Sequence, residues 1–180
     1  DALLWLSKYA DHIEGNKNNI LIGGSSAGGT IAASVTHLAR DKKEIQIRHQ
    51  FLLYPPMSHI LKTPSMNALV NAPMQTKNAA EWMWKHYLQH NMTKPPKYAA
   101  PLLEDNFNDL PDATIIVCEL DPLKDEGKLY AQKLENAGGG VNLLEIKGAV
   151  HAFDFFSSSL SDIFYRQQME LFKQILNQEE

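Results

Sequence analysis

A sharp glycine-rich turn carries the first residues of this sequence that could do chemistry. The stretch Gly24-Ser25-Ser26-Ala27-Gly28 has the spacing G-x-S-x-G, with Ser26 at its centre. A serine hydroxyl is a weak nucleophile unless a neighbouring base takes its proton. In this motif the serine sits on a strained strand-to-helix turn, and glycines stand where flanking side chains would collide. Amides at the start of the helix can then stabilise an oxyanion. We interpret Ser26 as a candidate nucleophile.

Other interpretations of these glycines compete with a nucleophile turn. Glycine- and serine-rich loops are common, and a single match to G-x-S-x-G arises by chance. The dinucleotide-binding pattern G-x-G-x-x-G does not fit, because no glycine has the right spacing. The phosphate loop G-x-x-x-x-G-K-[ST] fits at Gly23, Gly28 and Thr30. Gly29, however, stands where that loop needs a lysine, so its main charge is absent.

A serine nucleophile needs a histidine as its base. The chain has seven histidines. Six of them fall in helical patterns, inside a strand, or in an irregular segment: His12, His37, His49, His59, His86 and His90. His151 instead lies between the last apolar strand and the last helical pattern, on a loop that is free to reach Ser26. We predict that His151 is the general base.

The histidine in turn needs a carboxylate that fixes its tautomer. Asp121 directly follows the most apolar run of the chain. A turn or helix-capping aspartate is the alternative at this position, although Asp125 is the better capping candidate because a helix follows it at once. Asp154 shares a loop with His151, and Glu119 lies inside the strand. We therefore predict Asp121 as the orienting acid.

These residues must be positioned by alternating strands and helices. The apolar patterns predict strands at 20–22, 47–55, 113–120 and 141–146, with Gly23 and Gly24 ending the first, and helices at 1–13, 27–40, 78–90, 125–140 (with a glycine stop) and 158–178. Unbroken apolar strands that alternate with helices predict an α/β fold with a mainly parallel sheet covered on both faces. In such sheets, functional residues lie at the carboxyl ends of strands, where Ser26, Asp121 and His151 are expected.

Residues 57–100 interrupt this alternation. They are rich in Met, Asn and Pro and contain one clear helical pattern. We therefore divide the chain into a core at 1–56 and 101–180 and an insertion at 57–100.

Composition limits the classes of function. The 180 residues are 44% apolar and 21% charged, with a net charge of −4, which is typical of a soluble globular protein. No basic stripe suggests nucleic acid, and no stretch approaches the ~20 apolar residues of a membrane span. The single cysteine, Cys118, excludes an intrachain disulfide and fits a reducing, cytoplasmic location. The chain begins in a helical pattern without Met, which suggests a processed, trimmed or incomplete chain.

The sequence resembles the hormone-sensitive-lipase-like (family IV) esterases of the α/β-hydrolase fold. The resemblance rests on "GGSSAGG" (23–29), "ELDPLKDEG" (119–127) and "HAF" (151–153), with "AEWMWKHYL" and "YAAPLLE" similar to the cap helix and the segment after it. The order serine, acid, histidine is also that of the family's triad. The resemblance implies Ser26 as nucleophile, Asp121 as orienting acid, His151 as base and the Ala27 amide as an oxyanion donor.

The resemblance also implies a function. We expect hydrolysis of small-molecule carboxylic esters with short to medium acyl chains, through an acyl-enzyme, without cofactor or metal. We further predict that Ser25, Leu123 and Phe153 contribute to substrate binding. The insertion at 57–100 is expected to form a lid whose methionines and tryptophans line an acyl pocket, namely Met57, Met66, Met74, Met83, Trp82 and Trp84. The alternative is that the two tryptophans only anchor the lid helix.

The sequence departs from the family pattern at several points. Ser25 replaces an acidic residue, and Ala152 replaces a glycine beside the histidine. The upstream H-G-G-G loop, which completes the oxyanion hole, does not occur in the chain, and losing one such donor costs about 3 kcal/mol. We therefore expect the C-terminal portion of an α/β-hydrolase, whose first strand is an exposed edge until a second copy or an upstream segment covers it.

Two alternatives to an active esterase stay open. The chain could be a catalytically impaired fragment or a non-catalytic, small-molecule-binding homologue, which the absent H-G-G-G favours and the complete triad opposes. It could also be an amidase, formamidase or peptidase, since these enzymes use the same triad on the same scaffold.

Overall fold

The computed structural model describes residues 1–177, so Gln178, the last residue of the predicted closing helix, lies outside the described residues. The strands are β1 (Leu21–Ser25), β2 (His49–Leu53), β3 (Asp112–Cys118) and β4 (Val141–Ile146). The helices are α1 (Ala2–Tyr9), α2 (Ala27–Lys42), α3 (Pro64–Ala68), α4 (Lys77–Leu88), α5 (Lys124–Asn136) and α6 (Ser159–Asn177). Strands and helices alternate outside the segment that holds α3 and α4.

The four strands form one parallel sheet in the order β1-β2-β3-β4. Ser25 pairs with Leu53, and Leu53 pairs with Ile116, so the strands end at a common edge. Within the described residues β1 and β4 are the outer strands. The predicted α/β class with a parallel sheet is confirmed. The carboxyl ends of the strands lie along one edge of the sheet, which is where a functional site is expected in this class of fold.

The two inner strands are buried on both faces of the sheet, and their alternate residues point to opposite sides. Ile115 and Val117 of β3 belong to a core cluster that includes Ala33 of α2 and Leu134 of α5. Ile116 and Cys118 belong to a second cluster with Phe164 and Ile175 of α6. This two-sided burial explains why β3 reads as an unbroken apolar run, and it fixes the position of Asp121 three residues after the strand.

The segment 57–100 has its own small core. Met66, Trp84 and Leu88 are buried in a third cluster, and Leu123 from the loop after β3 belongs to the same cluster. A second short helix, α3, was not predicted; it begins after Thr63, whose hydroxyl caps it by accepting from the Met66 amide. The insertion therefore packs directly on the loop that carries Asp121.

The prediction that Gly23 and Gly24 end the first strand was wrong. The strand continues through both glycines to Ser25, because their backbones pair with Phe51 and Leu52 of β2. A Cβ atom at Gly23 would lie 2.7 Å from the Phe51 carbonyl oxygen, so glycine here permits close strand pairing instead of breaking the strand.

The predicted first helix is also shorter than expected. Residues 1–13 divide into α1 and a 3₁₀ turn at Ala10–Ile13, which ends at Glu14 with a left-handed φ of 56°. The other predicted elements differ from the observed ones only at their ends.

A buried polar group lies between α2 and α5. His37 is fully buried, with its Nε2 atom 3.2 Å from the Tyr130 hydroxyl, which lies 3.4 Å from Oε1 of Gln50. The His37 Nδ1 atom has no partner among residues 1–177. Burial, followed by the positive charge of Arg40, lowers the pKa of His37 from 6.5 to about 4. The neutral imidazole is therefore the form that the fold accommodates.

We predict that His37 makes the fold sensitive to acid. Because its pKa is lowered on folding, the unfolded chain binds the extra proton, and stability is lost as the pH falls from about 6.5 to about 4. The free energy of unfolding of wild type minus that of His37→Gln should therefore fall by about 2 kcal/mol from pH 7 to pH 5. Urea denaturation at both pH values measures it. A difference that does not change with pH would contradict the prediction.

Candidate active site

The turn at Ser26 has the strained geometry expected of a nucleophile turn. Ser26 has φ 52° and ψ −124°, a region that residues other than glycine rarely occupy. Its amide donates to the Leu53 carbonyl at 2.9 Å, which ties the turn to the end of β2. The Thr30 hydroxyl donates to the Pro56 carbonyl at 2.5 Å, and this bond ties the first turn of α2 to the segment that follows β2. The hydroxyl of Ser26 is thus presented above the sheet edge.

The glycines of the motif are not equivalent. A Cβ atom at Gly24 would lie 2.5 Å from the Gly28 carbonyl oxygen, and one at Gly29 would lie 3.0 Å from both the Gly24 oxygen and Pro55 Cβ. A Cβ atom at Gly28, in contrast, would meet no atom of the described residues within 4 Å. The expectation that both flanking glycines avoid a side-chain collision is therefore wrong for Gly28. Its backbone is what approaches Gly24.

Ser26, His151 and Asp121 lie together in a line of short contacts. The Ser26 Oγ atom is 2.9 Å from Nε2 of His151, and the His151 Nδ1 atom is 2.6 Å from Oδ2 of Asp121. Since a carboxylate only accepts, Nδ1–H of His151 donates to Asp121, and Nε2 is left to accept from the serine hydroxyl. The side chains of His151 and Asp121 are buried, with 7% and 1% exposed. Burial keeps water from competing for these contacts.

Asp121 also holds its own loop. Its Oδ1 atom accepts from the Leu123 amide at 2.9 Å, so both carboxylate oxygens are engaged. The prediction that Asp125 is the capping residue of the following helix was wrong. Its Oδ2 atom accepts instead from the Ser65 amide at 2.7 Å, across to α3. Asp121 is therefore both a turn aspartate and the hydrogen-bond partner of His151.

The remaining predicted site residues lie at varied positions. Ala27 is the exposed first residue of α2, where helix amides have no intrahelical acceptor, and Ser25 ends β1. Leu123 is buried in the cluster beneath the insertion. Phe153 is buried against Phe164, with ring centroids 5.1 Å apart. Substrate binding by Ser25, Leu123 and Phe153 stays a prediction.

A small apolar cavity opens beside the Ser26 turn. It has a volume of about 100 Å³ and is lined by Ala27, Thr30, Ile31, Pro56, Met83, Trp84 and Tyr87. Ile31 and Tyr87 also line a larger cavity of about 360 Å³ between α2 and the residues that follow α4. Of the side chains predicted to line an acyl pocket, Met83 and Trp84 lie on the smaller cavity. Met57 and Met66 are buried in core clusters, and Trp82 and Met74 are exposed.

Trp84 joins two roles that the sequence left as alternatives. It is only 1% exposed and anchors α4 in the core of the insertion, yet it also lines the cavity. Its indole Nε1 atom has no hydrogen-bond partner among residues 1–177. Trp82, two residues earlier, does not line the cavity and is stacked on His86, with ring centroids 5.6 Å apart.

Sequence reasoning missed a buried carboxylate next to the site. Glu126 is fully buried, and its Oε2 atom accepts from the amides of Met57 and Ser58 at 2.7 and 2.9 Å. Burial, partly offset by these amides, raises its pKa from 4.5 to about 7. The helical spacing of the sequence could have predicted this burial, because Glu126 lies on the same face of α5 as the buried residues Tyr130 and Leu134.

Residues 1–177 lack two further features. No group of three or more His, Cys, Asp or Glu side chains is arranged to hold a metal ion. None of the helices is long and apolar enough to cross a bilayer.

Comparison with known proteins gives consistent results. A sequence profile for the alpha/beta hydrolase fold matches residues 1–155. The carboxylic ester hydrolase LipN of Mycobacterium tuberculosis is 35% identical over 159 residues, which cover 84% of this chain and 42% of LipN. A putative alpha/beta hydrolase, R526, of Acanthamoeba polyphaga mimivirus is 31% identical over 155 residues, 85% of this chain and 45% of that protein.

The solved structures agree with the sequence relatives. A bacterial heroin esterase superposes with a TM-score of 0.92 at 31% identity, over 98% of this chain and 57% of the esterase. The chain therefore spans about half the length of the relatives that it matches.

We predict that Glu126 destabilises the fold as the pH rises. Its pKa is raised on folding, so the stability associated with its protonated form is present below pH 4.5 and lost as the pH rises through about 7. Glu126→Gln keeps an oxygen for the two amides and removes the charge. Its free energy of unfolding relative to wild type should rise by about 2 kcal/mol from pH 5 to pH 8.

The matched control for this prediction is Glu126→Ala. It leaves the Met57 and Ser58 amides without their acceptor and should be less stable than wild type at both pH values. A Glu126→Gln variant whose relative stability is the same at pH 5 and pH 8 would count against the assignment.

Proposed function

The chain belongs to the alpha/beta hydrolase fold family, in its hormone-sensitive-lipase-like branch, and from that membership we propose that it is part of a serine hydrolase of carboxylic esters. The observation that carries the proposal is the line of contacts from Ser26 Oγ through His151 to Asp121. Relatives that are named as carboxylic ester hydrolases, LipN among them, support the substrate class.

The proposed mechanism follows from the two contacts of His151. Its Nε2 atom takes the proton of the Ser26 hydroxyl as the oxygen attacks the ester carbonyl, and the imidazolium that forms is stabilised by Asp121. His151 then gives the proton to the departing alcohol and leaves an acyl-serine. Water, deprotonated by the same Nε2 atom, attacks the acyl carbon and releases the acid. These steps need no cofactor.

The Ala27 amide is our proposed oxyanion donor. It is the first amide of α2, whose sixteen residues aim their positive dipole end at the Ser26 turn. A tetrahedral intermediate on Ser26 would place its negative oxygen at this helix terminus. An H-G-G-G loop does not occur in the 180 residues, so a second donor of that kind is not proposed from this chain.

The cavity beside Ala27 supports a short acyl chain. Its volume of about 100 Å³ is small, which favours a short alkyl group over a long one. Its lining is mostly apolar, which favours an alkyl group over a charged one.

Several expectations from the sequence stay predictions. They are that the chain is an amidase or formamidase, that it is a non-catalytic homologue, that it is cytoplasmic, and that it associates through the β1 edge.

A fluorophosphonate tests the nucleophile. We predict that it labels wild type once per chain at Ser26, measured by intact mass, and that Ser26→Ala abolishes the label. Asp121→Asn should slow labelling by about 10⁴-fold, because the imidazole loses the carboxylate that fixes its tautomer. Rapid labelling of Asp121→Asn, or a folded wild type that takes no label, would contradict the proposed function.

The acyl pocket can be tested on the exposed face of α4. Tyr87 lines the cavity and is 55% exposed, so Tyr87→Ala opens the pocket without removing a core side chain. We predict about a tenfold increase in the ratio of kcat/KM for octanoyl over butyryl p-nitrophenyl esters. Trp82→Ala, on the same helix and 54% exposed but away from the cavity, is the matched control and should leave the ratio unchanged.

A further inference from the structure

A buried tyrosine and a buried aspartate lie next to His151, outside the line of contacts from Ser26 to Asp121. The Tyr54 hydroxyl donates to Oδ1 of Asp154 at 2.7 Å, and both side chains are buried. Tyr54 directly follows β2, and Asp154 lies three residues after His151 on the same loop. The bond therefore joins the end of one strand to the loop of another.

The tyrosine ring also touches the imidazole. The rings of Tyr54 and His151 meet edge to face, with centroids 4.8 Å apart and planes at 66°. The imidazole is thus contacted by Ser26 at Nε2, by Asp121 at Nδ1 and by Tyr54 on the ring itself. Two hydrogen bonds along one line leave a ring free to rock about that line, and a third contact removes this freedom.

The backbone of Tyr54 is strained. Tyr54 has a φ of 37°, in the left-handed region that bulky residues avoid, and its amide donates to the Ile116 carbonyl at 2.6 Å. Such strain persists only where surrounding contacts over-determine it. Burial, together with the Asp154 carboxylate, raises the pKa of the Tyr54 phenol, so the phenol stays protonated and continues to donate.

The Asp154 turn has a second, independent anchor. The Tyr165 hydroxyl of α6 donates to the Asp154 backbone carbonyl at 2.7 Å. This bond fixes the turn without involving the carboxylate. The chain therefore contains two tyrosine hydroxyls on one aspartate, of which only Tyr54 reaches the histidine ring.

We propose that Tyr54 and Asp154 form a positioning pair that fixes the ring of His151: the carboxylate orients the phenol, and the phenol ring keeps Nε2 directed at Ser26. The inference rests on the proposed function for its effect on rate, and it assigns to Asp154 a role other than that of the orienting acid. Among residues 1–177, the hydrogen bonds of the His151 ring nitrogens run to Ser26 and Asp121, and that of the Tyr54 hydroxyl runs to Asp154.

A double-mutant cycle on the labelling rate tests the pair. Tyr54→Phe removes the hydroxyl and Asp154→Ala removes its acceptor, and each should slow fluorophosphonate labelling by about 10- to 100-fold through a misplaced imidazole. The double variant should be no slower than the slower single variant, because both delete the same contact. Asp154→Asn, whose amide oxygen still accepts from the phenol, should label nearly as fast as wild type.

Tyr165→Phe is the matched control, since it removes the other tyrosine bond to Asp154 and leaves Tyr54 untouched. It should label at the wild-type rate. Rates for Tyr54→Phe and Asp154→Ala that equal wild type, or losses that multiply in the double variant, would overturn the proposal. Loss of labelling in Asp154→Asn together with rapid labelling of Asp121→Asn would overturn it too, because Asp154 would then be the orienting acid.

A spectroscopic measurement keeps the test independent of activity. The short bond from His151 Nδ1–H to Asp121 should give a far-downfield proton resonance, assigned by its loss in His151→Gln. We expect it in wild type, Tyr165→Phe and Asp154→Asn, and broadened or absent in Tyr54→Phe and Asp154→Ala. If wild type takes no label but this pattern appears, the proposed function fails and the positioning pair stands. An unchanged resonance in all the variants overturns the pair.

Discussion

The left-handed backbone at Ser26 is the constraint on which the rest of the site depends. A non-glycine residue at φ 52° costs about 1–3 kcal/mol, so neighbouring contacts must hold it there. The Leu53 carbonyl holds the amide of the turn, the close approach of Gly24 and Gly28 sets its curvature, and Thr30 ties the new helix to Pro56. These contacts also fix where β2 ends and where the insertion begins, so the geometry of the turn spreads to its neighbours.

The loop of Asp121 depends equally on the insertion. Leu123 is buried among insertion side chains, Asp125 accepts from Ser65, and Glu126 accepts from Met57 and Ser58. The carboxylate that faces His151 is therefore held from both sides, by the end of β3 and by a segment that also lines the cavity. The insertion is a structural support of the Asp121 loop as well as a cover for the cavity.

The order of strands and helices and the two residues in line with Ser26 could be predicted from the sequence, because both follow from local patterns. Apolar runs identify strands buried on two faces, and parallel strands bring their ends to one edge, so Asp121 and His151 could be found by position alone. Close approach between distant backbones leaves no such pattern, which is why the strand pairing of Gly23 and the open space at Gly28 were misjudged. Glu126 and the Tyr54–Asp154 bond depend on contacts across 69 and 100 residues.

The double duty of the insertion has an evolutionary consequence. In many folds a variable segment can drift and bring new specificity while the conserved machinery stays untouched. Here Trp84 both lines the cavity and packs in the cluster that contains Leu123, so a mutation that reshapes the cavity also reaches the loop of Asp121. Inherited change should therefore be freest at exposed lining positions such as Tyr87, and the buried half of the same helix should diverge slowly.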